Sequence, residues 1–491
     1  MTTMLMLAAL TVVPAPQKAV ELGGWTDKTN IVFETDAAIP AEGYRLAVGK
    51  DGVKVVSSGA AGRFYALETL KQLADPNGGK GVRYPLVEIE DAPEYKWRGL
   101  LLDDCRHFFG KTVVKRLLDE MAMHKMNVFH WHLTEDQGWR IDVPGMPELV
   151  KYGATRPKSV KYDTRFWRDA NGELQAVYDD ERYGPFYYTE AELREIVAYA
   201  AERNITVMPE IEVPGHVFCL LAAHPEFACY PENLKERLPR CRWGVEKDVL
   251  CVANPEAIRY MERIFDFVCD VFPSKVIDIG GDECPQVRWK TCPKCQAFMK
   301  ANGMKSEVEL QGWVTKHFAD YLAKKGRRVL GWTEMLASGD VPKDAMGMLW
   351  HRGKGHHGSD YGTEESLTAA GHELVMTPVE CCYLDYSQGI EDDPYPYIGG
   401  RITLEKCYSL NPRGNVPAER AHMIVGGQGN CWSEYTWNVF DLEWKTWPRA
   451  CALAEVFWTG AKRPGFDDFM RRMEVHRRRM IRQHVNVAPL R

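Results

Sequence analysis

Val276-Ile277-Asp278-Ile279-Gly280-Gly281-Asp282-Glu283 begins as an apolar, β-branched run, stops at two glycines and then presents two neighbouring carboxylic acids. The start has the character of a parallel strand buried on both faces. A desolvated carboxylate costs on the order of several kcal/mol unless it is paired or neutralised, so a buried strand does not end in Asp-Glu without a reason. Taken alone, the pair also reads as an N-cap and an exposed acid at a strand-to-helix junction. The other strand ends in the chain decide between the two.

From Trp97 onward the sequence repeats a strand-then-helix pattern. Eight β-like runs stand out: Gly99–Leu102, Asn127–His132, Ile205–Ile211, Val276–Gly280, Arg328–Trp332, Gly347–Trp350, Glu373–Thr377 and Met423–Gly427. Helical segments separate most of them; Lys111–Met126, for example, sets Val114, Leu117, Leu118 and Met121 on one face. Eight such units predict a (β/α)8 barrel with long loops. A doubly wound open sheet is the alternative, but no Gly-x-Gly-x-x-Gly phosphate loop follows an early strand.

Polar or aromatic residues follow every run. In order they are Asp103-Asp104-Cys105-Arg106-His107, His130-Trp131-His132-Leu133-Thr134-Glu135-Asp136, Glu210-Ile211-Glu212-Val213-Pro214-Gly215-His216 and Asp282-Glu283. Then come Trp332-Thr333-Glu334, Trp350-His351-Arg352, Tyr383-Leu384-Asp385 and Trp432-Ser433-Glu434. In a barrel those ends converge on one face, where active sites are built. One such motif is weak evidence; eight on one rim are strong.

Before the barrel, residues 10–93 alternate short runs (Leu10–Val13, Asn30–Glu34, Tyr44–Val48, Gly52–Val56, Leu86–Ile89) with one helical pattern, Arg63–Ala74. They predict a small α+β domain of supporting role, with the barrel domain over 94–491. Composition is that of a globular chain: 491 residues, 45% hydrophobic, 26% charged, net charge −6. This balance argues against nucleic acid or an anionic membrane as partner. No later run approaches the roughly 18 apolar residues of a membrane span. Met1–Leu10 is apolar without a basic flank and reads either as a clipped leader, implying a periplasmic or secreted protein, or as the start of a domain in a cytoplasmic one. The Arg471–Arg482 run reads as the solvated face of a final helix.

Fifteen Trp and 21 Tyr, many beside polar residues, suit sugar rings, whose faces are apolar and whose edges are hydroxyls. Core packing uses the same residues. Fourteen Cys leave the compartment open; the densest set, Cys251, Cys284, Cys292 and Cys295, admits disulfides, a zinc site or free thiols.

Metal hydrolysis has a foothold in His130-x-His132, but no third ligand set accompanies it, and hydrogen-bonded barrel histidines are the competing reading. There is no Gly-x-Ser-x-Gly elbow and no cofactor fingerprint, so neither a catalytic metal nor a cofactor is expected. Carboxyl chemistry in an aromatic pocket remains, as in glycosidases. The usual pair of glycosidase carboxyls stands about 5–10 Å apart across the sugar, which neighbouring Asp282 and Glu283 cannot readily do. One of them protonating the leaving oxygen while the other handles a group already on the sugar is an arrangement they can adopt.

At these residues the chain resembles glycoside hydrolase family 20, the β-N-acetylhexosaminidases. The similarity runs from Gly62-Arg-Phe-Tyr-Ala-Leu-Glu-Thr-Leu through Trp97-Arg98-Gly99 and Asp103-x-x-Arg106-His107 to Trp432-x-Glu434, with Gly280-Gly281-Asp282-Glu283 the most specific part. The family is a substrate-assisted exception to the two-carboxylate rule. The resemblance implies an exo-acting retaining enzyme on glycans ending in GlcNAc or GalNAc. Glu283 would be the general acid and base, its pKa held up. Asp282 would orient the acetamido N–H, and Tyr383 would donate to the acetamido oxygen as it attacks C1 to form an oxazolinium ion. Trp332, Trp350 and Trp432 match aromatic walls; Arg106, Asp385 and Glu434 match the residues that grip sugar hydroxyls; His216 and Glu135 match a relay behind the acid.

This chain has Glu135 and Glu212 where the family often has Asp, a difference of more than 1 Å in carboxylate position that the backbone is expected to absorb. Glu212 reads equally as an acid paired with a nearby Arg or Lys. A lacto-N-biosidase with a longer pocket and a non-catalytic sugar-binding protein are the competing functions, and a homodimer is compatible with the sequence.

Overall fold

The computed structural model describes residues 10–74, 81–168, 174–354, 360–390, 393–394, 396–414 and 416–490, with backbone alone for 162–168 and 174–176. The apolar amino-terminal stretch lies outside the described residues up to residue 9.

The first unit is a five-stranded sheet of β1 (Lys18–Thr26), β2 (Ile31–Thr35), β3 (Tyr44–Gly49), β4 (Gly52–Ser57) and β5 (Tyr84–Asp91), ordered β1-β5-β3-β4-β2. Helix α1 (Ala60–Leu73) packs on it; Tyr65, Ala66, Leu70 and Leu73 meet Leu46, Val48, Val55 and Val87. Strand β1 lies at the sheet edge with nearly all of it facing solvent, and its apolar Val20, Leu22 and Trp25 are exposed.

The expected strand Leu10–Val13 is not a strand. Val12 and Val13 are apolar because they are buried, and their backbone groups are satisfied by side chains. Val13 exchanges hydrogen bonds with the Gln72 amide at 2.9 and 2.7 Å, and the Val12 carbonyl accepts from Arg472 at 3.0 Å. In the final helix α3 (Phe466–Arg482), Arg471, Arg478 and Arg482 are exposed as read, whereas Arg472 is buried and Arg479 half-buried. Arg472 forms two bonds to Glu455, at 2.7 and 2.6 Å, and Arg479 holds the Thr11 carbonyl at 2.8 Å.

Eight parallel strands close the barrel in sequence order: β6 (Trp97–Asp103), β7 (Val128–His132), β8 (Thr206–Glu210), β9 (Val276–Asp278), β10 (Arg328–Trp332), β11 (Met346–Leu349), β12 (Leu374–Met376) and β13 (Ile424–Cys431), the last pairing with the first. Side chains alternate across each strand. Leu101, Met208, Leu330, Met346, Met348 and Val375 fill the lumen, while Leu100, Leu102, Phe129 and Trp131 face the helices. Helix α2 (Gly110–Met123) buries Val114, Leu117, Leu118 and Met121 as its period predicts. It ends three residues earlier than read, because Lys125 takes a left-handed φ of 58°.

That turn has a purpose in the packing. It sends the Lys125 ammonium into the seam between the two units, where it meets Asp91 of β5 at 2.9 Å and the Tyr44 hydroxyl at 2.9 Å, over the Trp458 ring. The Trp458 indole N–H also donates to Asp91, and both charged side chains are fully buried. Burial pulls the Lys125 pKa down despite Asp91. Removing one member of a buried pair leaves an uncompensated charge and costs about 3–5 kcal/mol. Asp91→Ala should therefore lower unfolding stability by about that amount in urea titration, whereas Lys18→Ala, whose partner Glu90 is as exposed as itself, should change it by less than about 1 kcal/mol.

Candidate active site

The barrel register places Asp103, His132, Glu210 and Asp278 side by side on four neighbouring strands. All four are fully buried. His132 Nδ1 bonds Glu210 Oε2 at 2.5 Å, His130 Nε2 lies 3.0 Å from the same oxygen, and the Gln428 amide donates to His130 Nδ1 at 2.9 Å. His130 and His132 are thus hydrogen-bonded barrel residues. Glu210 also accepts from the Trp332 indole at 2.8 Å.

Above this layer Glu135 sits at the centre of the rim. Its carboxylate contacts Arg106 Nη2 at 3.0 Å, His132 Nε2 at 3.2 Å and His216 Nδ1 at 2.8 Å, and accepts the Asp136 N–H at 2.8 Å. The glutamate in place of aspartate still closes the contact to His216. Arg106 is held from behind by Asp103 at 3.2 Å and Gln137 at 3.1 Å, with its guanidinium over the Trp432 ring. Asp103 also accepts the Ser433 N–H at 3.0 Å, tying the end of β6 to the end of β13.

The far ring nitrogen of His216 faces both acids, 3.7 Å from Asp282 Oδ2 and 3.6 Å from Glu283 Oε2. Two site residues, His216 (φ 48°) and Glu283 (φ 42°), adopt left-handed backbone, a cost on the order of 1–3 kcal/mol each at functional positions. Gly280 is required for a different reason. Its φ is 65°, and a Cβ there would lie 1.9 Å from the Glu212 carboxylate.

Glu212 has no Arg or Lys ion pair among the described residues, so that reading is corrected. Its nearest cationic ring is His132 at 4.0 Å, and burial together with Asp282 and Glu210 raises its pKa well above the ordinary value. Two carboxylates this close, out of water, cannot both stay charged.

The charges partition unevenly. Burial lowers the His216 pKa, but Glu135 and Asp282 outweigh it and raise it well above its usual value, which makes the ring an imidazolium. Burial, against the pull of His216 and with the push of Glu283, lifts Asp282 to about 7. Burial also pushes Glu283 up, but the His216 hydrogen bond and charge outweigh it and leave it below the ordinary carboxylate value. The expectation of a Glu283 pKa held up is therefore not met here. Its side chain is 29% exposed, and the adjacent imidazolium favours its ionised form.

These side chains line a cavity of about 160 Å³ with Arg106, Glu135, Glu212, Trp350, Tyr383, Asp385, Trp432 and Glu434. Trp332 alone of the sequence-predicted residues is not in the lining; it stands behind, 6.2 Å from the Trp350 ring and 5.7 Å from the Trp432 ring. Trp350 is fixed by an indole bond to Glu334 at 3.0 Å and stacks on Tyr383 at 6.0 Å. Burial, with Asp282 and Asp385 nearby, raises the Tyr383 phenol well above 10 and keeps it a donor. Asp385 is buried with neither carboxyl oxygen hydrogen-bonded among the described residues, and burial with Glu434 lifts it to about 8. Gly244, Tyr386 and Ile398 also line the cavity. Gly244 and Ile398 lie on long loops and carry no motif, so nothing local marks them, whereas Tyr386 directly follows Tyr383-Leu384-Asp385 and could have been read with that group.

Two family models match the chain: glycosyl hydrolase family 20, domain 2, over residues 8–92, and glycosyl hydrolase family 20, catalytic domain, over 95–461. A β-hexosaminidase of Porphyromonas gingivalis is 38% identical over 467 residues, 93% of this chain and 56% of that protein. One of Akkermansia muciniphila is 33% identical over 97% of this chain and 91% of its own length. Among solved structures, a β-N-acetylhexosaminidase aligns with TM-score 0.83 at 31% identity, over 96% of this chain and 95% of that one. An exo β-N-acetylglucosaminidase of Vibrio harveyi in complex with N-acetylglucosamine aligns with TM-score 0.83 at 27% identity, over 98% and 78%. No helix among the described residues is long and apolar enough to cross a membrane. Barrel, rim and family models agree, and the chain belongs to glycosyl hydrolase family 20.

Proposed function

We propose that the chain is an exo-acting, retaining β-N-acetylhexosaminidase that removes terminal GlcNAc or GalNAc from glycans by substrate-assisted catalysis. The carrying observation is one small aromatic cavity in which adjacent Asp282 and Glu283 meet a single imidazolium and a protonated phenol. A cavity of about 160 Å³ favours one terminal sugar over the disaccharide that a lacto-N-biosidase releases. The names of the similar proteins support the same reading. Residues 10–93 act as the supporting unit and 94–491 as the catalytic one.

In this reading Glu283 protonates the glycosidic oxygen and later removes a proton from water. Asp282 accepts the acetamido N–H and stabilises the developing positive charge, while Tyr383 donates to the acetamido oxygen as it closes on C1. Trp350 and Trp432 wall the sugar, with Trp332 supporting them. Arg106, Asp385 and Glu434 hold its hydroxyls; the buried Asp385 oxygens, without a hydrogen-bond partner among the described residues, support that assignment. Glu135 anchors His216 behind the two acids.

Substrate also supplies the protonation state that the chemistry needs. A sugar covering Glu283 expels water from it and raises its pKa, while an acetamido N–H donated to Asp282 favours the ionised form there. The proton that favours Asp282 in the open site then belongs on Glu283.

Two aryl β-glycosides that differ only in 2-acetamido against 2-hydroxy test the mechanism. Cleavage of the acetamido sugar alone is expected; comparable cleavage of both would require an enzymic nucleophile and overturn the reading. Glu283→Gln should reduce kcat by about 10²–10⁴-fold on a poor leaving group and much less on an activated aryl glycoside. Equal loss on both would remove Glu283 from the acid role.

The raised acids predict a pH dependence of stability. Asp385 folds with a pKa of about 8 against an ordinary 3.8, so its contribution is full below about 4 and is lost as pH rises to about 8. The stability difference between wild type and Asp385→Asn should therefore swing toward the variant between about pH 5 and 8, by up to about 1.4 kcal/mol per pH unit, and level off above. Urea midpoints across that range measure it.

A further inference from the structure

Away from the cavity, four thiols converge. Cys229 follows the turn Pro225–Phe227, and Cys251 lies across from it: Ala228 and Leu250 form an antiparallel bridge, and the Cys251 N–H donates to the Phe227 carbonyl at 2.8 Å. Cys292 and Cys295 come from Cys-Pro-Lys-Cys at the start of the helix Pro293–Ala301. All four Sγ atoms lie within 4.8 Å of one another, with Cys295 Sγ 3.8 Å from Cys229 and 3.7 Å from Cys251. Cys251, Cys292 and Cys295 are buried and Cys229 is half-buried. In the sequence Cys284, not Cys229, groups with this set. The fold brings Cys229 there instead, and packs Cys284 against Gly215, whose Cβ would lie 3.2 Å from it.

The separations discriminate between chemistries. A disulfide requires sulfurs about 2.05 Å apart, and none of the fourteen cysteines is so joined. A tetrahedral zinc ion with Zn–S bonds of about 2.3 Å places its sulfurs about 3.8 Å from one another. Two of the distances here take that value, and the remaining thiols lie within a small adjustment of it. The donors also arrive as two pairs, one from a Cys-x-x-Cys at a helix start and one from two bridged segments. That is how structural four-cysteine sites are assembled from loops. Four soft thiolates and no carboxylate or carbonyl in the set select zinc over magnesium, calcium or manganese.

We propose that Cys229, Cys251, Cys292 and Cys295 bind one Zn²⁺ as a closed tetrathiolate that fastens the loop after β8 to the loop after β9. Four protein ligands leave no open coordination position, and none of the four residues lines the cavity, so the ion is structural. What it fastens matters for the site. The loop after β8 carries His216, and the loop after β9 carries Asp282 and Glu283. Neighbouring contacts run the same way: the Leu250 N–H donates to the Pro214 carbonyl at 3.0 Å, the Trp289 indole to the Leu250 carbonyl at 2.9 Å, and Arg288 to Asp248 at 2.9 Å. The zinc clamps these segments where His216 faces the two acids. Its binding deprotonates the thiols and releases their protons to solvent.

The test uses the full chain purified under reducing, chelator-free conditions. Elemental analysis should find about one zinc per chain, released to a chromogenic chelator when an organomercurial titrates the thiols. Cobalt(II) exchanged into the wild-type protein should give the intense thiolate-to-cobalt charge-transfer and visible bands of a tetrahedral S₄ site. Cys229→Ser and Cys251→Ser should each lower zinc content at least about tenfold, while Cys241→Ser keeps it. Stoichiometric iron in place of zinc would overturn the metal assignment. Wild type that takes up neither zinc nor cobalt, or peptide mapping that finds two disulfides among these four cysteines, would overturn the site. Because the cobalt spectrum is read on the wild type, a variant that fails to fold does not blunt the test. The proposal does not depend on the glycosidase reading.

Discussion

The site rests on one buried carboxylate. Glu135 touches Arg106, His132 and His216 at 2.8–3.2 Å, and those three residues come from the ends of three different strands. Burial alone would push Glu135 up, yet Arg106 and the two histidines hold it well below its ordinary pKa. The carboxylate is therefore a fixed negative charge at the centre of the rim. It makes His216 an imidazolium, and the imidazolium in turn sets the uneven charges of Asp282 and Glu283. Removing such a charge would leave its cationic partners uncompensated in a low-dielectric interior, which is why the cluster behaves as a unit.

Backbone geometry aims the acids that this charge controls. Gly280 and Gly281 turn the chain at φ 65° and 86°, and Glu283 continues the left-handed turn at φ 42°. The missing Gly280 side chain is replaced by the Glu212 carboxylate, which brings a further neutralised acid beneath Asp282. Strain and buried acids both cost stability, and the large apolar layer between strands and helices offsets them. The amino-terminal unit adds to that support through Lys125–Asp91 and through Arg98, which reaches Glu42 at 2.7 Å.

The strand ends were legible because each barrel strand is short, apolar and followed by a burst of polar or aromatic residues. Boundaries moved by one to three residues in most cases, as at β6, where Trp97 and Asp103 extend the run that Gly99–Leu102 announces. Leu10–Val13 misled for a physical reason: apolar residues under α3 look the same in sequence as apolar residues in a sheet. Strand β1 went unread because its apolar residues, Val20, Leu22 and Trp25, are few, interrupted by Gly23 and Gly24, and exposed on an edge strand rather than set against the core. Within α3, Arg472 misled in the opposite direction, since a cation paired with a buried Glu455 cannot be told by composition from its solvated neighbours Arg471 and Arg478.

By itself the sequence determined the barrel, its order, and the set of acids, histidines and indoles gathered on one rim, because periodicity and strand-end chemistry are local properties of the chain. Only the tertiary structure decided which of those groups touch and what charge each carries. Glu210 and Asp278 became one layer with His132 through register, Trp332 went behind the wall it was expected to form, and Cys229 replaced Cys284 in the thiol cluster. Protonation followed the same rule: Asp282 and Glu283 are neighbours of like chemistry in sequence, burial pushes both up, and the hydrogen bond and charge of the His216 imidazolium on Glu283 separate them. Contacts between residues far apart in the chain, and the water they exclude, are set by three-dimensional packing and leave no mark on the local pattern.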